Sequence, residues 1–269
     1  MSEEIAADIQ TTHILDLAAD GRRVDGRAVD EYRPIAIAPG FVAENCWRDG
    51  VTDRVYESRS ELGAELAARM RSEIEALFAQ GVTYVQLDNP GYSRFLHSHA
   101  WSANAGQQKE AFERMLAADT AAVDGVPRPA GASIGLHVCR GNHSSRWLAE
   151  GSYAPIAERL FGSLPVDRFL LEFDDERSGG FEPLRYVPEG KVVVLGLVST
   201  KTPHLEDLDE LVARIDEAAA LIDLDDLAVS PQCGFASVAL GGNSLTTQDQ
   251  FRKLELVADA ANAAWGLQG

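Results

Sequence analysis

What this sequence has little of narrows its class first. It has three cysteines, Cys46, Cys139 and Cys233, in 269 residues, too few for a disulfide scaffold and consistent with a reducing, cytoplasmic setting. No apolar run approaches the roughly 20 residues that a membrane-spanning helix needs. The first residues, Met1-Ser2-Glu3-Glu4-Ile5, lack the basic-then-apolar profile of a secretory signal. Basic residues are scarce as well: 24 Lys and Arg against 42 Asp and Glu leave a net charge of −18. That balance argues against a general affinity for nucleic acid or an anionic membrane, and points to small molecules or proteins as partners. No Gly-x-Gly-x-x-Gly follows any candidate strand, so a dinucleotide fold has no fingerprint. Repeats, low-complexity tracts and Pro/Gly/Ser-rich linkers are also missing. One domain is expected over residues 33–269, preceded by a lead-in arm, residues 1–32, with no strong apolar period.

What is present is an alternation of strand and helix. Apolar, β-branched runs at 33–40, 82–88, 133–139, 166–173, 191–198 and 227–230 read as buried strands, most of them fenced by Gly, Pro or Asp. The run Lys191 to Val198 is almost continuously apolar, as a strand covered on both faces should be. Between the strands lie helical patterns. Ser58 and Glu61 form a capping-box pair ahead of Leu62, Leu66, Met70, Ile74 and Leu77. Further helices are expected near 107–122, 153–161 and 205–222, and a closing one begins at Thr246 with Asp249 in the capping position. This order implies an α/β fold with a parallel sheet, doubly wound or closed as a TIM-type (β/α) barrel, and the missing fingerprint favours the barrel.

In such a barrel the working side chains stand at the C-terminal strand ends. His137 and Cys139, two apart on one strand, leave the same face. The next strand ends in Glu172 and the last is followed by Cys233. An imidazole, a carboxylate and two thiols at equivalent heights suit a tetrahedral zinc ion. Other candidates have plainer readings. His97 and His99 fit a surface loop, and His143 stands out of strand register beside the metal candidates. Arg140, Arg146 and Trp147 fit either an anionic or planar substrate pocket, or an Arg–acid pair with Asp174 or Asp175 beside a packed Trp. Asp174-Asp175-Glu176-Arg177 reads as a solvated loop. Gly241-Gly242-Asn243-Ser244 reads as a phosphate loop or as a turn into the Thr246 cap.

His137-x-Cys139, Glu172 and Pro231-Gln232-Cys233-Gly234, in this order and at these strand ends, resemble the catalytic domain of cobalamin-independent methionine synthase and its relatives, including the epoxyalkane:coenzyme M transferases. The resemblance covers roughly residues 33–266. It implies zinc held by His137, Cys139, Glu172 and Cys233; the carboxylate is the weakest donor of that set, so Glu172 is the ligand expected to loosen when substrate sulfur arrives. It also implies a thiol such as homocysteine, bound to zinc as thiolate, that attacks a methyl or other alkyl group carried by a folate or a corrinoid. Two further positions are expected to be catalytic. Asp88 would take a substrate ammonium, although this chain has Asp88-Asn89-Pro90 where methionine synthases have Asp-Glu-Pro. Lys201, before Thr202-Pro203, stands where the family places a proton-relaying His. Family domains open with two strand–helix units that residues 1–32 do not match. The expectation is therefore a barrel lacking its first two units, completed in a homo- or hetero-oligomer. The alternative is a catalytically specialised or silent subunit that completes a barrel with a partner chain.

Overall fold

The structure, a computed structural model, describes residues 23–24, 27–28, 34–96, 105–142, 144–236 and 244–266. Within the lead-in, β1 (Arg23–Val24) and β2 (Arg27–Ala28) form an antiparallel pair with Val24 opposite Arg27. The rest of residues 1–32 lies outside the described residues.

Six strands build one sheet: β3 (Ile35–Ile37), β4 (Tyr84–Asp88), β5 (Ser133–Val138), β6 (Arg168–Glu172), β7 (Val192–Val198) and β8 (Leu227–Pro231). Their spatial order is their chain order, and β3/β4, β4/β5 and β7/β8 pair in parallel. A doubly wound sheet reverses its order at a switch point, whereas a (β/α) barrel advances strand by strand. The barrel-type order is the one found, with six strands in this sheet among the described residues where a complete barrel has eight. The chain gathers into two compact units, residues 1–91, 105–137 and 163–168 in one, and 92–104, 138–162 and 169–269 in the other.

In the first unit α1 (Pro39–Asn45), α2 (Arg59–Ala79) and α3 (Ala105–Val123) pack on one another. Ser58 caps α2 by accepting from Glu61 N, but the Glu61 carboxylate accepts from Glu57 N at 2.6 Å, so the reciprocal half of the expected box falls one residue early. The buried stripe of α2 is Gly63, Ala67, Met70, Ile74, Leu77 and Phe78. Leu62 and Leu66, expected on that stripe, are only half buried. Small residues take their place because α2 and α3 approach closely: a Cβ on Gly63 would lie 3.1 Å from that of Ala118. At the start of α1, Gly40 N donates to Asp119 Oδ1 at 2.7 Å. A side chain at Gly40 would meet Met115 O at 2.3 Å.

The second unit contains α4 (Ala154–Ser163), α5 (Leu208–Ala219) and α6 (Thr247–Trp265). Its core includes a run of aromatic contacts: Tyr153 meets Phe161 and Phe173, Phe161 meets Phe169, and Phe173 meets Phe181 at 4.7 Å. Such pairs add about 0.5–1.5 kcal/mol each beyond their buried area. The β7/β8 register shifts between Gly196 and Val198. A Cβ at Gly196 would stand 2.8 Å from Gln232 Cα and 2.9 Å from Leu171 O. Glycine inside a strand here permits close backbone approach, and it brings the end of β8 in beside β7. Thr246 and Asp249 make the complete capping box expected at the head of α6.

Candidate metal centre

β5 carries His137 as its penultimate residue, with Cys139 just past its end, and Cys233 follows β8. One ligand atom from each lies within 4.8 Å of the other two. His137 and Cys139 are buried at 7% and 5% exposure, and Cys233 is partly exposed. No disulfide forms among the described residues. Two soft thiols and an imidazole, converging and two of them buried, are the donors that zinc prefers. The residues therefore fit the metal that the sequence suggests.

His137 Nε2 faces Asp88 Oδ1 at 3.8 Å, longer than a hydrogen bond. Burial pushes the Asp88 carboxyl above its ordinary range, and His137 opposes the rise. The side chain retains 24% exposure, so Asp88 stands beside the imidazole with a face open to solvent. Its neighbour Asn89 is fully buried and points elsewhere. Asn89 Nδ2 donates to Asp119 Oδ2 at 2.6 Å, and its Oδ1 accepts from Gly91 N at 3.1 Å. Asn89 N in turn donates to His137 O at 3.0 Å. Where the family has a glutamate, this chain has a structural amide that closes a turn and holds the end of β4 against β5.

The structure gathers three of the four expected ligands into that group. Glu172, completely buried at the end of β6, is not grouped with His137, Cys139 and Cys233. Its Oε2 accepts from Arg140 N at 2.6 Å, and its Oε1 accepts from Lys201 Nζ at 2.9 Å. Lys201 Nζ also donates to Asp174 Oδ2 and to Gln232 Oε1, both at 3.0 Å. Gln232 Oε1 further accepts from Thr200 Oγ1 at 3.1 Å. Burial pushes the Glu172 carboxyl upward, while Lys201 and Arg140 N draw it back. Lys201 is thus a buried ion-pair centre.

Arg140 belongs to the frame. It is fully buried, and its guanidinium donates to Gly151 O, Glu172 O and Ser178 O while stacking 4.3 Å from the Tyr153 ring centre. Neither Asp174 nor Asp175 is its partner, as an Arg–acid pair would require. Asp174 is bound by Lys201 and only 1% exposed, and Asp175 accepts from Arg177 Nε at 2.7 Å. The expected solvated loop is therefore half wrong, because burying Asp174 without a cation would be costly and Lys201 supplies one. Arg146 is exposed, and Trp147 lies under Arg177 at 4.6 Å. His97, His99, His143 and Gly241 to Asn243 lie outside the described residues. Ser244 N donates to Ser145 Oγ at 2.8 Å.

Two contributors went unread in the sequence. Tyr153, which looked like the first residue of a helix, uses its hydroxyl to donate to Val138 O at 2.7 Å and to accept from Glu172 N at 2.9 Å. It bridges the ends of β5 and β6. Gln232 was legible only as part of the Pro231-Gln232-Cys233 motif, yet it completes the Lys201 cage.

A family model described as "Cobalamin-independent synthase, Catalytic domain" matches residues 8–262, reaching into the lead-in that the motifs alone had left unmatched. The chain is 41% identical over 208 residues to the protein YxjG of Bacillus subtilis (strain 168), covering 75% of this chain and 53% of that one. It is 27% identical over 179 residues to the methionine synthase of Pyrococcus abyssi (strain GE5 / Orsay), covering 66% of this chain and 44% of the other. A solved structure from Listeria monocytogenes, assigned as a vitamin-B12-independent methionine synthase, superposes with a TM-score of 0.65 at 30% identity, over 87% of this chain and 64% of that one. The chain spans about half the length of the curated relatives it matches. With a match running through nearly all of the sequence, and with a His–Cys–Cys cluster standing where the motifs put it, this chain belongs to the cobalamin-independent methionine synthase catalytic-domain family.

Proposed function

We propose that this chain takes part in zinc-dependent transfer of an alkyl group, methyl in the leading case, to a thiol, with homocysteine as the leading acceptor and a folate or a corrinoid as the donor. The observation that carries the reading is the convergence of His137, Cys139 and Cys233 within 4.8 Å at the C-terminal strand ends. These residues would hold the ion. A divalent cation there lowers the pKa of a thiol, ordinarily about 8.5, enough to make thiolate the dominant form at neutral pH. Asp88, beside His137 and partly exposed, is placed to accept hydrogen bonds from a substrate ammonium. In the transfer a sulfur–carbon bond forms, the bond from the carrier to the alkyl group breaks, and the thiol gives up its proton. The names of relatives such as the Pyrococcus abyssi methionine synthase support the same reaction class.

Metal analysis and a methyl-transfer assay test the reading together. Protein purified without chelator should hold about one equivalent of zinc, and Cys233→Ser should retain far less, because a neutral hydroxyl replaces a thiolate. Less than about a tenth of an equivalent, with no uptake on adding zinc, would refute the metal centre. Thioether formation from a panel of thiols with folate-bound and corrinoid-bound methyl donors is the activity readout. Full zinc occupancy with no thioether under any pairing, partner proteins included, would instead favour a catalytically silent subunit.

A further inference from the structure

Of the four lysines in the chain, Lys109, Lys191, Lys201 and Lys253, the last two are buried, and both meet the loop between β7 and α5. Lys201 lies within that loop, and Lys253 reaches it from the second turn of α6. The Lys253 side chain is 0% exposed. A lysine has three N–H donors. Here they go to His204 O, to Glu206 Oε1 at 3.2 Å and to Glu206 Oε2 at 3.0 Å, all on one short stretch of the loop. Glu206 Oε1 also accepts from Ser199 N at 2.8 Å, so the carboxylate ties the far end of the loop back to its first residue. Residues 199–207 form neither helix nor strand, so side-chain bonds of this kind, rather than a ladder, set the course of the backbone. Between the tied points the chain holds the buried Thr200 and Lys201, followed by the exposed Thr202, Pro203 and His204.

We infer that Lys253 is a positioning residue for the β7–α5 loop: with Glu206 it clamps residues 199–206, and so holds Thr200 and Lys201 at the end of β7. An ammonium taken wholly out of water needs its carboxylate, and losing one partner strands the other. Replacing such a pair by apolar residues of similar volume is often neutral for stability, so the choice of Lys and Glu serves the one loop arrangement they enforce. Both oxygens of Glu206 are engaged by Lys253, and charge-assisted bonds of this kind are the stronger and more directional ones. From the clamped loop Thr200 Oγ1 donates to Gln232 Oε1, in the residue before Cys233. A helix that supplies none of the candidate ligands thereby acts on the strand-end site. The clamp itself does not depend on the zinc reading above; its consequence for alkyl transfer rests on that reading.

The test uses the full chain in three forms: native, Lys253→Met, and the double variant Lys253→Met with Glu206→Gln. Methionine fills the space of the lysine stem and glutamine keeps an oxygen for Ser199 N, so the double variant strands no charge. Brief exposure to acetic anhydride, read lysine by lysine in a mass spectrometer, reports on the loop without metal, substrate or activity. In native protein Lys201 should be acetylated far more slowly than the exposed Lys109. In either variant Lys201 should react about tenfold faster or more, while Lys109 and Lys191 keep their native rates, which separates loop opening from global unfolding. An unchanged Lys201 rate in the folded double variant would overturn the clamp. Should Lys253→Met fail to fold, the double variant decides, and a double variant that also fails to fold would overturn the inference, because the pair would then serve the core rather than the loop. Where native protein forms thioether, the double variant should keep its zinc and lose about tenfold or more in rate. A loosened loop with full activity would overturn the role in the reaction. Native protein with neither zinc nor activity would overturn the reading above, and the acetylation result would still decide the clamp.

Discussion

The hydroxyl of Tyr153 gives the sharpest single-atom test of how the site is framed. Tyr153→Phe keeps the ring, its 4.3 Å stacking against the Arg140 guanidinium and its edge contact with Phe173, and removes one oxygen. That oxygen donates to Val138 O and accepts from Glu172 N and, at 3.2 Å, from Arg140 Nη1. Burial raises the pKa of the phenol, so it acts as a neutral donor and acceptor throughout the ordinary pH range. Arg140 keeps its other acceptors, whereas Val138 O loses the donor it has in Tyr153 and Glu172 N loses its acceptor. A buried polar group stripped of its partner costs about 1–3 kcal/mol, so two of them, partly relaxed, cost about 2–4 kcal/mol. For a chain of this size each kcal/mol lowers the thermal midpoint by about 2–4 °C, giving a fall of about 5–15 °C followed by circular dichroism. Tyr186→Phe, which removes a hydroxyl whose hydrogen-bond partner among the described residues is the neighbouring Arg185, is the control and should change stability by less than about 0.5 kcal/mol. A shift in Tyr153→Phe no larger than that of the control would refute the bridge between the strand ends.

Gly40→Ala should destabilise the first unit by about 3 kcal/mol or more, because its Cβ would press on Met115 O and displace the Gly40 N bond to Asp119; an unchanged melting curve would contradict the packing described. Asp249 has its pKa lowered by hydrogen bonds from Thr246, so its contribution to the α6 cap is present above about pH 4 and is lost as pH falls through the depressed value. A stability difference between native and Asp249→Asn should accordingly be present near pH 6 and close on acidification, and a difference independent of pH would contradict the assignment. β3 and β8 each have one strand neighbour among the described residues, and unpaired parallel edges favour association. We therefore predict an oligomer, alone or with a partner polypeptide, by light scattering after size exclusion; a stable, fully active monomer would contradict it.

The sequence by itself determined the succession of elements and the height of the site. Strand runs and helical stripes depend on periods of two and 3.6 residues, and the ends of those runs put His137, Cys139, Glu172, Lys201 and Cys233 at the C-terminal edge of the sheet. His137-x-Cys139 was legible because two residues on one strand share a face whatever the rest of the chain does. The buried stripe of α2 was misplaced by a residue at its start, since apolar side chains mark a helix but only the partner helix shows that Gly63 and Ala67 must lie against α3. The partner of Glu172 was decided by tertiary structure alone. Nothing local in the chain shows that the ammonium of Lys201, 29 residues further along, reaches its carboxylate at 2.9 Å. Asn89 was decided the same way. In sequence it is only a departure from Asp-Glu-Pro, and it is Asp119, 30 residues away on α3, that accepts from its amide at 2.6 Å. Periodicity and turn chemistry act over a few residues and can be read along the chain. Competition among buried donors and acceptors is settled through space, by which groups the packed elements bring within hydrogen-bonding distance.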